Sequence, residues 1–178
     1  MREFCAPRTP RPFGVLALCL ALLYPDSSGL AAEALPLAVF DFELIDTSLE
    51  GETRGPRADE QARLGKISDQ LRQMLAESGR YRIIDLTPVE AEIAAAGYLH
   101  GCNRCDTKIA GGLGAERAVT GTVQKVSNLI LNINLYEREV ASGKLLRAMS
   151  VDIRGNTDKS WSRGVSYLVR NRFLKGAK

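Results

Sequence analysis

Leu64, Ile67, Leu71, Met74 and Leu75 recur at steps of three and four residues. That spacing puts apolar side chains on one stripe of an α-helix, and Gly79 ends the run. Ahead of it, LPLAVFDFEL (35–44) is a largely apolar run with Leu37, Val39 and Phe40, which predicts a strand. The intervening IDTSLEGETRGPRADE (45–60) is polar and holds Gly51, Gly55 and Pro56, so it predicts a long loop. RYRIIDL (80–86) predicts a second strand. Thr87, Pro88 and Glu90 stand where a helix places its cap, a first-turn proline and a capping-box acid. The helix they start is expected to reach Ala96 and stop at Gly97. DTKIAGGLGAE (106–116) predicts a short helix weakened by its glycines.

From Arg117 to Gly155 the period changes. Leu129, Leu131, Ile133 and Leu135 alternate with Ile130, Asn132, Asn134 and Tyr136, as in a half-buried strand. ASGK (141–144) reads as the turn of a hairpin. A closing helix over about 157–173 places Trp161, Val165, Leu168 and Arg172 on one side. The predicted order is β-α-β-α-α-β-β-β-α, with the last three strands antiparallel. Helices must cover such a sheet to bury its apolar face, which gives a single α/β domain built on one mixed sheet of about five strands. Val39, Leu71, Ile84, Val119, Leu131, Ile133, Trp161 and Leu168 are the expected core.

The start of the chain bears on location. Arg2, Arg8 and Arg11 precede the apolar run FGVLALCLALLY (13–24), and PDSSGLAAEA (25–34) follows with small residues. This is the layout of a cleaved secretory signal, with cuts after Ala31, Ala32 or Ala34 all leaving a small residue. A retained membrane anchor is the competing reading, but the apolar run is short for a span. A lipidated Cys19 would need a small residue where Leu18 stands. Removing residues 1–31 leaves a domain over 32–178, expected in the periplasm and carrying no integral membrane segment after processing. Residues 32–60 hold eight acids and two bases, whereas residues 144–178 hold nine bases and two acids. The basic end is either a solvated helix face or a surface for lipid headgroups or an acidic partner. Export and the scarcity of aromatic residues exclude a nucleic-acid binder.

One stretch carries the candidate chemistry: HGCNRCD (100–106), with the chain's only histidine beside a C-x-x-C pair. Haem attachment would need a histidine where Asp106 stands. Thiol–disulfide exchange would use Cys102 and Cys105 at a helix start, but the strand before the motif and the facing proline of thioredoxin-like proteins are missing. A metal site could draw on His100, Cys102, Cys105 and Asp106, yet adjacent Cys105 and Asp106 converge poorly on one ion, and no second ligand pair exists. In an oxidising compartment the expected reading is a local Cys102–Cys105 disulfide that staples a short loop. Asp41 and Glu43 read either as a carboxylate pair or as the solvated face of an edge strand. GGLGAE (111–116) closes a helix instead of opening one, so it makes a turn and no phosphate loop. NLILNINLYERE could pair with a partner's strand or lie inside the sheet, and the internal position is expected. No catalytic set is complete, and no cofactor is implied.

LGAERAVTGTVQKV (113–126), entered by a helix that follows RYRIID, resembles the TolB amino-terminal, CsgG and LpoB-like group of envelope domains. The resemblance implies an α/β fold with this element order over residues 36–155. CsgG forms a pore with inserted strands and a lipid anchor; this sequence has neither signature, so that activity does not carry over. VFDFELIDTS, GCNRCD and VQKVSNLILNINLYERE with SVDIRGNTDKSWSRG are closer still to an uncharacterised family of bacterial predicted secreted proteins, over nearly the whole mature chain. This second resemblance implies an association with periplasmic quinoprotein dehydrogenase systems and supplies no catalytic residues. Together these readings imply a non-enzymatic binding or accessory domain that docks to another cell-envelope protein. The alternative is a small thiol-redox or metal-binding protein using His100, Cys102 and Cys105.

Overall fold

The computed structural model describes residues 33–176. The expected signal segment and the cut near Ala32 lie outside them. The chain runs β1 (Leu35–Asp46), α1 (Leu49–Arg54), α2 (Ala58–Glu77), β2 (Tyr81–Ile83), α3 (Glu90–Ala96), α4 (Cys105–Gly112), β3 (Arg117–Lys125), β4 (Ile130–Glu139), β5 (Leu145–Arg154) and α5 (Asp158–Leu168). Single 3-10 turns at Thr87–Val89 and Leu99–Gly101 flank α3. One mixed five-stranded sheet forms in the order β2-β1-β3-β4-β5. β1 is parallel to both β2 and β3, and β3, β4 and β5 are antiparallel. No described helix is long and apolar enough to cross a membrane.

The sheet's two faces are covered unequally. α2 and α5 pack side by side on one face, where Leu71, Leu75, Trp161, Val165 and Leu168 meet Leu37, Val39, Val119, Val123, Leu131, Ile133 and Leu135. Trp161, Leu71 and Leu168 are fully buried, each fully buried large side chain contributing about 1.5–3 kcal/mol of transfer free energy. α5 lies so close to the sheet that a Cβ on Gly164 would stand 2.8 Å from Ile133 and 2.9 Å from Ile153. On the other face a smaller cluster of Ala38, Phe40, Leu99, Ile109, Ala110 and Ala118 is covered by α3, α4 and the turn before α4. This second cover reaches β1 and β3 only. Among the described residues, no helix covers the outer face of β4 and β5, where Ala148, Ser150 and Asp152 are exposed.

Seven of the eight expected core residues are fully buried or nearly so. Ile84 is only half-buried, because β2 ends at Ile83 and Ile84 sits at the margin of the smaller cluster. The predicted loop 45–60 is shorter than expected. β1 continues to Asp46, and Ser48 caps α1 by accepting from the Gly51 N–H at 3.1 Å. Thr87 does not cap: its N–H and hydroxyl both donate to Asp85 Oδ1, at 3.0 and 2.7 Å, and a 3-10 turn precedes α3. Arg172 also departs from the expected phase. The closing helix passes into a π-helical turn over Val169–Phe173, whose extra residue rotates Phe173 into the core and Arg172 into solvent. Leu129 precedes β4 in the turn and is exposed, while Leu131, Ile133 and Leu135 point inward. β4 is internal, as expected.

β1 corrects another expectation. It is no edge strand, and between Val39 and Phe42 it carries a bulge against β3. The bulge switches the side-chain phase, so Phe42 joins Leu37 and Val39 toward α2. Asp41 and Glu43 therefore do not form a carboxylate pair. Asp41 meets Arg72 of α2 at 2.5 Å, and Glu43 turns to the opposite face.

Candidate functional site

Where the second cover ends, the outer face of the sheet opens into a cleft of about 280 Å3. Its floor is Thr120, Thr122 and Tyr136, alternate residues of β3 and β4 brought side by side by the antiparallel register, in which Thr120 pairs Tyr136. Its walls include Leu99, His100, Cys102, Asp106 and Arg138. The structure therefore brings three of the four sequence-predicted site residues, His100, Cys102 and Asp106, to one concavity. Cys105 stands behind them at the start of α4.

His100, Cys102, Cys105 and Asp106 each have a partner within the fold. Glu43 reaches across from β1 and its carboxylate accepts from the backbone N–H of Leu99 at 2.5 Å and of His100 at 3.0 Å. His100 Nδ1 lies 2.6 Å from the same carboxylate. Asp106 is buried, and its Oδ2 lies 3.4 Å from Arg138 Nε on β4. The Cys105 N–H, at the first position of α4, points at Cys102 Sγ at 3.1 Å, which satisfies one of the donors a helix start leaves free. The two cysteines stand at disulfide distance, with 5.7 Å between their Cα atoms. Arg104, between them and α4, is held at φ 67°, a left-handed conformation that costs an L-residue energy and persists only where packing fixes it. Its guanidinium lies directly over Gly143 of the β4–β5 turn, with Cζ 2.5 Å from where a Cβ would stand. Gly143 itself has φ 69°. The motif is thus tied to β1, β4 and the β4–β5 turn at once.

Among the described residues, no group of three or more His, Cys, Asp or Glu side chains is arranged to hold a metal ion. The geometry gives a reason: His100 is engaged by Glu43 and Asp106 by Arg138, so the candidate ligands point to separate partners. What the cleft offers is a polar lining of hydroxyls, a guanidinium and a carboxylate, which suits hydrogen bonding to a docked group.

Sequence reasoning missed Tyr136 and Arg138 as site residues. Their signal was the strand period, since both share the outward phase of Asn132 and Asn134. It also missed a buried ionic cluster at the far end of β3. Lys125 is fully buried, with Nζ 2.7 Å from Glu60, 3.0 Å from Asp46 and 3.4 Å from Glu50. Burial alone would lower its pKa, but the hydrogen bonds it donates to Glu60 and Asp46 outweigh this and hold it above the usual lysine value. Lys125 lies on the same inward phase as Val119 and Val123, and that was the signal available.

Among solved structures, the LpoB C-terminal domain from Salmonella enterica aligns over 71% of this chain and 87% of its own, with 14% identity and a TM-score of 0.48. Lipoprotein GNA1162 from Neisseria meningitidis aligns over 80% of this chain and 99% of its own, with 17% identity and a TM-score of 0.48. TolB from Acinetobacter baumannii aligns over 80% of this chain and 29% of its own, with 14% identity and a TM-score of 0.44. At these values the likenesses carry no functional assignment. No curated protein matches the sequence. The family model DUF3280, described as "Protein of unknown function (DUF2380)", matches residues 36–173, nearly all of the folded domain, and the chain belongs to that family.

Proposed function

We propose that the chain is an exported, non-enzymatic accessory domain that docks to another cell-envelope protein through the uncovered half of its sheet. The observation that carries this reading is the open outer face of β4 and β5, bounded by the cleft on one side and by the free edge of β5 on the other. An antiparallel sheet tolerates one solvated face, and a ten-residue edge strand offers a row of backbone donors and acceptors for added pairing. Asn134, Ser150 and Asp152 on that face are small and polar, so a partner meets a flat surface with little side-chain entropy to lose. The signal segment supports delivery to the periplasm, and the family resemblance supports a partner in a quinoprotein dehydrogenase system. In this role the Cys102–Cys105 disulfide is a staple that keeps the cleft wall in place.

The test is crosslinking and affinity recovery from the native envelope. The wild-type chain, beginning near Ala32 by mass spectrometry, should retain one partner. Ser150→Arg and Asn134→Arg should lose it, while Gln73→Arg on the exposed side of α2 should keep it. Retention by both sheet-face variants, or a chain that still carries Met1–Tyr24, defeats the proposal. Turnover of a disulfide substrate, or a metal retained through dialysis and released by His100→Ala, would establish the thiol-redox or metal-binding alternative instead.

A further inference from the structure

On the opposite side of the sheet, α5 turns a row of cations outward. Lys159, Arg163, Tyr167 and Arg170 follow one another at steps of four, four and three, on the side of the helix away from the buried Trp161, Val165 and Leu168. All four are exposed, and the row runs about 16 Å by helix rise. Arg172 and Lys175, in and after the π-helical turn that follows, are exposed as well. The helix has a single acid, Asp158, which is taken by Arg63 at 2.8 Å and Lys66 at 2.7 Å from α2. Among the described residues, no cation of the row is in an ion pair.

An isolated row of cations would suit any anionic partner, but two further features select among them. Tyr167, 43% exposed, stands inside the row with an apolar ring and a polar tip, the form that sits at a membrane–water boundary. At the Lys159 end, the β3–β4 turn is bonded to the chain entering α5: the Gly155 N–H donates to Leu129 O at 3.3 Å and the Asn156 N–H to Asn128 O at 2.9 Å. That turn presents Leu129 at 72% exposure and Val126 at 54%, with Ile130, 56% exposed, paired across to Arg154. Large apolar side chains at a turn tip flanked by cations can enter the headgroup boundary, whereas an acidic polypeptide leaves them in water.

We propose that the α5 cation row and the Val126–Ile130 turn form a peripheral docking surface for an anionic lipid bilayer. The cation row stands apart from the protein-docking face, because it lies on the other side of the sheet; of the turn, Ile130 shares the outward phase of Asn132 and Asn134. The test is co-sedimentation of the natively processed chain with phosphatidylglycerol-containing vesicles and with pure phosphatidylcholine vesicles. Binding is expected to the anionic vesicles only and to weaken steeply with salt. Arg163→Gln with Arg170→Gln should weaken it roughly 25-fold, about fivefold for each surface cation at about 1 kcal/mol. Leu129→Ser should weaken vesicle binding and leave any binding to poly-glutamate unchanged. Thermal unfolding and partner recovery of the variants serve as folding controls, since the altered side chains are exposed. No preference for anionic vesicles, or binding indifferent to the arginine pair, overturns the proposal. Binding to poly-glutamate at least as tight as to vesicles, with no effect of Leu129→Ser on either, overturns it in favour of an acidic protein.

Discussion

Lys125→Met should be among the most damaging single substitutions in the domain. The ammonium is fully buried, and among the described residues it is the only cation in an ion pair with Glu60, itself fully buried with Oε1 also accepting from Asn156 Nδ2 at 2.5 Å and Oε2 lacking any hydrogen-bond partner. The other two carboxylates have fuller support. Asp46 accepts from Ser48 Oγ at 2.6 Å and Ser48 N–H at 2.9 Å, and Glu50 from Arg57 at 3.1 Å and Asn128 at 2.9 Å. The cost therefore falls mainly on Glu60, left as a buried charge with only the neutral Asn156 amide against it, and losses from breaking a buried pair run about 3–5 kcal/mol. Replacing the pair by apolar side chains removes the charge along with its partner, so Lys125→Met/Glu60→Leu should recover most of that loss. Urea unfolding with an unchanged m-value reads the difference. A single variant that loses less than about 1 kcal/mol, or a double variant no more stable than the single, would refute the assignment of a compensated ion pair.

Leu71→Ala should cost about 2–5 kcal/mol, because Leu71 is wholly buried between α2 and the sheet; a loss under about 0.5 kcal/mol would place it on the surface. The exported chain should contain no free thiol and no stoichiometric metal, and Cys102→Ser/Cys105→Ser should reduce stability modestly since the closed loop is so short. Reduced cysteines holding one metal per chain would contradict this, as would a serine double variant that folds normally yet loses its partner. In acid, hydrogen bonds from Lys66 and Arg63 hold Asp158 down to about 2. A carboxylate with a depressed folded pKa stabilises above its unfolded value and loses that contribution as pH falls through the folded one. The chain should therefore lose stability between about pH 4 and pH 2 by melting temperature, and Asp158→Asn should flatten that fall; an unchanged slope in the variant would refute it.

The element order and most of the core were legible because long, strongly periodic segments dictate their own phase. Leu64 to Leu75 could only be one face of a helix, and Leu131 to Leu135 only one face of a strand. What sequence did not reveal depends on contacts made across the chain. The β1 bulge that parts Asp41 from Glu43 arises from pairing with β3, some eighty residues away. The shift that buries Phe173 instead of Arg172 comes from one extra residue in a helical turn, which periodicity cannot register. At the candidate site, the Cys102–Cys105 spacing was visible, but the partners that occupy His100 and Asp106 lie on β1 and β4. A short motif shows which side chains are present and not what already holds them.

Charge is distributed between the two layers in a way that makes the two proposed surfaces compatible. α5 carries a row of exposed cations, whereas α3 and the turn before it expose Asp85, Glu90 and Glu92 on the far side of the sheet, beside the exposed Arg104 and Lys108 at α4. Near an anionic surface, a body with this asymmetry is turned so that α5 approaches and α3 recedes. The outer face of β4 and β5 lies on the same side of the sheet as α3, so the approach that brings the cation row to a bilayer leaves that face exposed to a partner. The cleft stands at the boundary between the helix-covered and open parts of this outward face. At that position the motif's groups are anchored to β1, β4 and the β4–β5 turn. In the proposed docking role the loop at the margin must be held, and Glu43, Arg138 and a Cys102–Cys105 disulfide would hold it from separate directions.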